Sequence, residues 1–253
     1  MPSSGVPMML RYLFGCLISL LICFQVVPAW AAIAWVQGAE SNATLATTQA
    51  ITFPANTTTG NTIICGTGFV TTVNLLSAAD TSGVNTYTLL TESTRVAVDV
   101  SVQQFYAVDI TGGWTVLTAT YQNSSTSKGL HCAEFSGMGA AVLDQQAGNA
   151  QDNPGTGANA VTSGNITTTV ANEVLFTTSC CSPTTVNVGT NYTYIDAAPL
   201  ADQGSAYRIV SSTGTYAGTW TANDAADDFV TRISSFEALP CRGALMMMGA
   251  GGC

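Results

Sequence analysis

Apolar positions along this chain come in short runs cut by Gly, Pro, Asn, Asp and Ser, and beyond residue 32 they show no helical period of 3.6. Asn61–Val70 (NTIICGTGFV) is almost unbroken and rich in β-branched residues, the pattern of a strand covered on both faces. From Trp114 to Tyr121 the pattern alternates instead. Leu117, Ala119 and Tyr121 fall on one face, expected to be buried, and Val116, Thr118 and Thr120 on the other. The stretch from Gln103 to Gly137 reads as three consecutive antiparallel strands: Gln103–Ile110, Trp114–Tyr121 and Gly129–Phe135. Gly112-Gly113 supplies a hairpin turn between the first two, and Asn123–Ser127 a polar loop before the third.

Further runs at Ala34–Val36, Ala43–Phe53, Tyr87–Leu90, Asn165–Val170, Glu173–Cys180, Tyr192–Ile195, Ser205–Ser211, Thr215–Thr221 and Phe229–Leu239 bring the count to about a dozen short strands. This predicts an all-β protein, an antiparallel β-sandwich of jelly-roll type, with a barrel as the alternative. No repeat of fixed period is evident in the sequence. Gly137–Gly164, with GNAQDNPGTGANA, is the most loop-like segment. The loop from Gly148 to Ala160 and the Gly112-Gly113-Trp114 turn are therefore places to look for function.

The ends change the picture. Residues 1–32 read as a secretory signal peptide: Arg11, an apolar run from Tyr12 to Val27, then Ala29-Trp30-Ala31 in the A-x-A pattern. The rival reading is an uncleaved anchor. Residues 33–239 form the β-sandwich domain. Residues 240–253 (PCRGALMMMGAGGC) are a tail, read as a truncated anchor or a disordered end, so contact with a membrane is expected only through leader or tail. The expected location is secreted or cell surface.

Charged residues are only 8% of the chain, so Thr, Ser, Asn and Gln must build its polar surface. Six Lys and Arg against a net charge of -9 leave no basic patch for phosphates, which excludes nucleic acid as a partner. Six cysteines follow the leader. A bridge from Cys65 or Cys132 to one of the adjacent pair Cys180 and Cys181 is expected in an oxidising compartment, against buried free thiols.

Candidate chemistry is sparse. His131 is the only histidine and lies inside an apolar strand, and no G-x-S-x-G occurs, so a Ser-His-Asp hydrolase is disfavoured. No catalytic residue is assigned, and Glu134 is the best candidate acid because a carboxylate among apolar neighbours is pushed toward its neutral form. Its alternative place is the solvent face. Trp114, Tyr121 and Trp220 are the ligand-binding candidates, aromatic platforms suited to the apolar face of a pyranose; Trp114 and Trp220 are expected to be exposed. Tyr192, Tyr194 and Tyr216 are suitable in kind. No cofactor is required. Calcium is the one ion the acidic groups suggest, at Asp224, Asp227 and Asp228, or at Asp80 with Asn85.

The succession GNTIICGTGFV, DTSGVNTYTLL, QFYAVDITGGWTVLTATY, GLHCAEFSGM, ANEVLFTTS and Ala206–Val210 resembles a widespread class of exported bacterial β-sandwich domains in uncharacterised surface and secreted proteins. The resemblance covers Gly60 to Leu239 and implies a jelly-roll-like sandwich outside the cell; it carries no functional residues over. The function expected is non-enzymatic adhesion or binding to a polysaccharide or cell-surface ligand. A polysaccharide-active hydrolase or lyase is the alternative. A third reading is a subunit of an extracellular filament or coat, self-associating through strand edges.

Overall fold

The computed structural model describes residues 32–42, 45–70, 73–95, 100–125, 128–138, 142–152, 155–180, 187–195, 203–222 and 228–238. Nearly every described segment is strand. The first half holds β1 (Ala34–Asn42), β2 (Ala46–Thr52), β3 (Thr62–Val70), β4 (Leu75–Asp80), β5 (Thr88–Leu89), β6 (Ser93–Arg95), β7 (Val100–Ala107), β8 (Val116–Ser125) and β9 (Lys128–Ser136). The second holds β10 (Val142–Asp152), β11 (Gly157–Thr167), β12 (Glu173–Cys180), β13 (Asn187–Val188), β14 (Thr193–Tyr194), β15 (Gln203–Val210), β16 (Thr215–Ala222) and β17 (Asp228–Glu237). All named pairings are antiparallel.

Four sheets form, and their strand orders repeat. The first half builds β1-β9-β3-β7-β5, with β6 also on β7, and faces it with β2-β8-β4. The second builds β10-β17-β12-β15-β14 and faces it with β11-β16-β13. Strand for strand these are the same arrangement. Register agrees as well. Tyr106 lies between Ile64 and Thr88 in one half, and Tyr207 between Phe176 and Thr193 in the other. Trp35 pairs with Phe135 and Leu143 with Phe236, and in both first strands a bulge follows, at Val36 and at Asp144. Side by side, the halves show Tyr87-Thr88 against Tyr192-Thr193, Thr118 and Thr120 against Thr219 and Thr221, and Gly113 against Gly214.

Two sandwiches therefore stand where one was expected over residues 33–239, and they are stacked in four layers. Ile51, Phe53, Phe69, Phe105, Leu117 and Tyr121 fill the first sandwich. Val161, Leu175, Trp220, Phe229 and Ile233 fill the second. The two five-strand paths face each other across a third cluster containing Ile64, Phe135, Phe176 and Phe236. Contacts across it are reciprocal: Tyr106 meets Phe236 edge-on at 5.0 Å, and Phe135 meets Tyr207 edge-on at 5.3 Å. Reciprocal contacts of this kind define an isologous, twofold interface.

Burial on both sides explains why β3 is central and apolar throughout, as its sequence predicts. It also corrects the trio from Gln103 to Gly137. β7 and β9 lie in one sheet, apart from each other, while β8 lies in the facing sheet, so Gly112-Gly113 turns the chain between layers and closes no hairpin. Gly148 to Ala160 is likewise mostly strand, in β10 and β11. The leader through residue 31, the tail from 240, Cys181, Asp224 and Asp227 lie outside the described residues. Among the described residues no helix is long and apolar enough to cross a membrane.

Candidate functional site

The aromatic and acidic candidates read from sequence are absorbed by the core. Trp114, expected to be exposed, is buried; its indole N–H donates to the Thr111 carbonyl at 2.8 Å and its ring meets Phe53 edge-on. Trp220 is wholly buried and donates to Thr177 Oγ1 at 3.1 Å. The reason is shared: both rings fill the space between facing sheets, and each polar N–H reaches an acceptor, three residues back for Trp114 and on β12 for Trp220. Tyr121 sits on the buried face as its alternation predicts, with its hydroxyl 2.8 Å from Thr67 Oγ1. None of the three presents a ring face to solvent.

Glu134 is completely buried, not on a solvent face. Its Oε1 accepts from the Thr58 backbone N–H at 2.8 Å and from Asn61 Nδ2 at 2.6 Å, and its Oε2 from Gln37 Nε2 at 2.6 Å. Three N–H donors occupy the carboxylate, so it ties β1 and the β2–β3 connection to β9. His131 is buried opposite Glu40, its Nδ1 3.3 Å from Glu40 Oε2. Asp80 accepts from the Ser82 N–H at 2.8 Å, from Asn85 Nδ2 at 2.9 Å, from the Tyr87 hydroxyl at 2.8 Å, and from the Ser82 hydroxyl. Burial alone would raise the Asp80 pKa, but these donors outweigh it and hold the group below the usual carboxylate range. With its oxygens so engaged, Asp80 closes a turn.

Of the acidic group proposed for calcium, Asp228 opens β17 opposite Asp152. Among the described residues, no set of three or more His, Cys, Asp or Glu is placed to hold a metal ion. Cys65 and Cys132 are directly opposite on β3 and β9 and are bonded to each other, with Cα atoms 4.1 Å apart. This replaces the expected bridge from either of them to Cys180 or Cys181. Cys180 is disulfide-bonded too.

What the fold does assemble is a cleft where the edges of the two central sheets meet. β1 contributes Trp35, Gln37 and Gly38; Pro54 follows β2; and the second half contributes Thr193, Tyr194, Ile195 and Tyr207. The cavity is about 280 Å³. Trp35 is 41% exposed, and its ring lies parallel to Tyr207 within 1°, with centroids 6.4 Å apart. Phe135 braces Tyr207 from beneath. A side chain at Gly38 would strike the Ile195 carbonyl at 2.2 Å, so glycine lets the two halves close on each other at the cleft floor. Gln37 is held by Ala55 and Glu134. The Trp35 indole N–H and the Tyr207 hydroxyl have no hydrogen-bond partner among the described residues. Burial raises the Tyr207 pKa, which keeps that hydroxyl a donor at neutral pH.

The repeat supplies a control for this cleft. At the equivalent corner of the other half stand Leu143 for Trp35, Leu89 for Tyr194 and Gln146 for Gly38, with Tyr106 in place of Tyr207. A purely architectural corner is therefore satisfied by leucines. Trp35 and Tyr207 were missed in the sequence because each sits in an ordinary strand run, and their pairing depends on the stacking of the halves. Tyr194 alone of the lining aromatics had been named. No family model, no curated protein and no solved structure matches this chain.

Proposed function

We propose that the protein is an exported, non-enzymatic glycan-binding β-sandwich, and that the Trp35–Tyr207 cleft is its binding site. The observation that carries this reading is the exposed Trp35 ring parallel to Tyr207 beside unpaired N–H and O–H groups. A pyranose has an apolar C–H face and a polar rim, which such a platform and such donors complement. No lining residue carries a charge, so the ligand class is a neutral sugar rather than a uronic or phosphorylated one. The volume, near the low end of small-molecule sites at roughly 300–1,000 Å³, suits one ring of a longer chain.

The disulfide-bonded cysteines and the all-β fold support a location outside the cell. We read each half as a jelly roll, because its first strand lies beside its last and the chain crosses repeatedly between facing sheets. The test is titration of the protein with neutral oligosaccharides, followed by tryptophan fluorescence. Trp114 and Trp220 are buried, so Trp35 is the described tryptophan that a ligand can touch. Binding that W35A and Y207A weaken by tenfold or more, without turnover, is expected. Product formation, or binding unchanged in both variants, overturns the proposal.

A further inference from the structure

Thr58 and Thr169 occupy equivalent places, each in the connection leading into a central strand. Each gives its backbone N–H to a carboxylate: Thr58 to Glu134 at 2.8 Å, and Thr169 to Asp144 at 2.7 Å. The carboxylates come from different strands, the last strand of the first half and the bulge of β10 in the second. Where the first half has Glu134, the second has Ser235, and it adds another acid, Glu173, at the start of β12.

Glu173 differs from Glu134 in one decisive respect. It is just as buried, yet neither of its oxygens has a hydrogen-bond partner. The ionisable group that acts on it is Asp144, already bound by the Thr169 N–H and by the Thr169 hydroxyl at 2.7 Å. Glu237 of β17 lies directly opposite it, and Val210 of β15 lies on the other side. Two cations belong to these strands, and both are engaged elsewhere. Arg208 lies over the Tyr216 ring at 5.2 Å, and Arg232 bonds Ser93 and Gln146 on the opposite face of the sheet. A buried carboxyl group with no donor and no cation to answer it, and with a second carboxylate acting on it, does not ionise cheaply.

We propose that Asp144 and Glu173 share a proton, and that this proton takes the place of the N–H donors that satisfy Glu134, closing the corner where β10, β12 and the β11–β12 connection meet. In this state Glu173 carries the proton as a carboxylic acid and Asp144 is the anion; ionisation releases that proton to solvent and leaves two facing carboxylates. Burial first, and then Asp144, push the Glu173 pKa from 4.5 up to about 7, while the Ser235 hydroxyl and Val170 N–H, outside bonding geometry, pull weakly the other way. Burial raises the Asp144 pKa, but the Thr169 donors, Gln145 and Glu173 more than offset it and hold the group low. Because the folded pKa lies above the unfolded one, the stabilisation is complete below pH 4.5, declines as pH rises, and is gone above about 7. The second half is thus built to hold in acid and to loosen toward neutral and alkaline pH.

Urea midpoints of the disulfide-intact wild type, E173Q and D144N from pH 4 to pH 9 test this. The wild-type folding constant, relative to E173Q, is expected to fall by up to tenfold per pH unit within that window and then level off. D144N should shift the window to lower pH. Carbon NMR of the wild-type glutamate carboxyls gives a readout that needs no variant: one must titrate well above the others. A wild-type to E173Q ratio independent of pH, or all folded glutamates titrating near 4.5, overturns the proposal.

Discussion

Replacing Glu134 by glutamine is the sharpest test of how the first half is held together. The substitution keeps shape and volume and exchanges one carboxylate oxygen for an NH2 group. Oε1 receives Thr58 N–H and Asn61 Nδ2, so the remaining oxygen would stay there and the new NH2 would face Gln37 Nε2. Gln37 cannot turn its amide over to answer it, because its own oxygen accepts from the Ala55 N–H at 3.0 Å and its Nε2 donates to the Ala55 carbonyl at 3.1 Å. Two donors are left face to face in a dry site. Losing one charge-assisted bond, at about 1.5–3 kcal/mol, and stranding a buried donor puts the cost of E134Q at about 2–4 kcal/mol. E134A strands all three donors and should cost about 3–5 kcal/mol. Equilibrium urea unfolding at pH 7 with the disulfide intact measures both. An E134Q variant within about 0.5 kcal/mol of wild type would refute the reasoning, since surface substitutions have effects of that size.

Three further outcomes follow. The double substitution C65T/C132I, which installs the residues found at the equivalent positions of β12 and β17, should cost about 4 kcal/mol from reopening a 67-residue loop, read as a lower unfolding midpoint under non-reducing conditions, where the bridge at Cys180 stays intact. D80N should cost about 1–2 kcal/mol at pH 7. Because the Asp80 pKa is lowered on folding, its contribution exists above 3.8 and disappears as pH falls, so wild type and D80N should converge below that value in a pH series of thermal melts. W220F should lose its bond to Thr177 and leave a void, at about 1–3 kcal/mol, yet leave glycan affinity unchanged; a loss of affinity at constant stability would return Trp220 to the binding surface.

Sequence pattern revealed the strands that obey one simple rule of burial. β3 is apolar because both its faces are covered, and β8 alternates because one face meets solvent. β10 and the first part of β11 were illegible because their stabilisation is polar. Gln151 bonds the Ala160 carbonyl and the Thr162 N–H, and Asn149 the Thr162 carbonyl, so β10 side chains cap the open backbone of β11. Such a segment shows Gln, Asn and Gly where a pattern search expects Val and Ile. The buried Glu134 and Trp220 have another cause: whether a polar atom is tolerated in the core depends on a donor or acceptor from a distant part of the chain. The cleft was less legible still, because it lies between the halves and neither half alone contains it.

The twofold repeat turns the differences between halves into evidence. Two aromatic positions that face the central interface are kept alike, Phe135 with Phe236 and Tyr106 with Tyr207, because each meets its counterpart's partner across the axis. Other positions diverge. His131 is answered by Glu40, while its counterpart Arg232 stands opposite Gly148, where any side chain would collide with Ser93. Here the exchange changes how β6 is docked. At Tyr194, where the other half has leucine, the hydroxyl gains the Val188 N–H at 2.6 Å, whereas at Trp35 the exchange leaves a large aromatic ring 41% in water. An exposed indole costs solvation without adding to the core. Trp35 thus stands partly in water at a corner that leucine fills in the other half, and so it is where binding is sought.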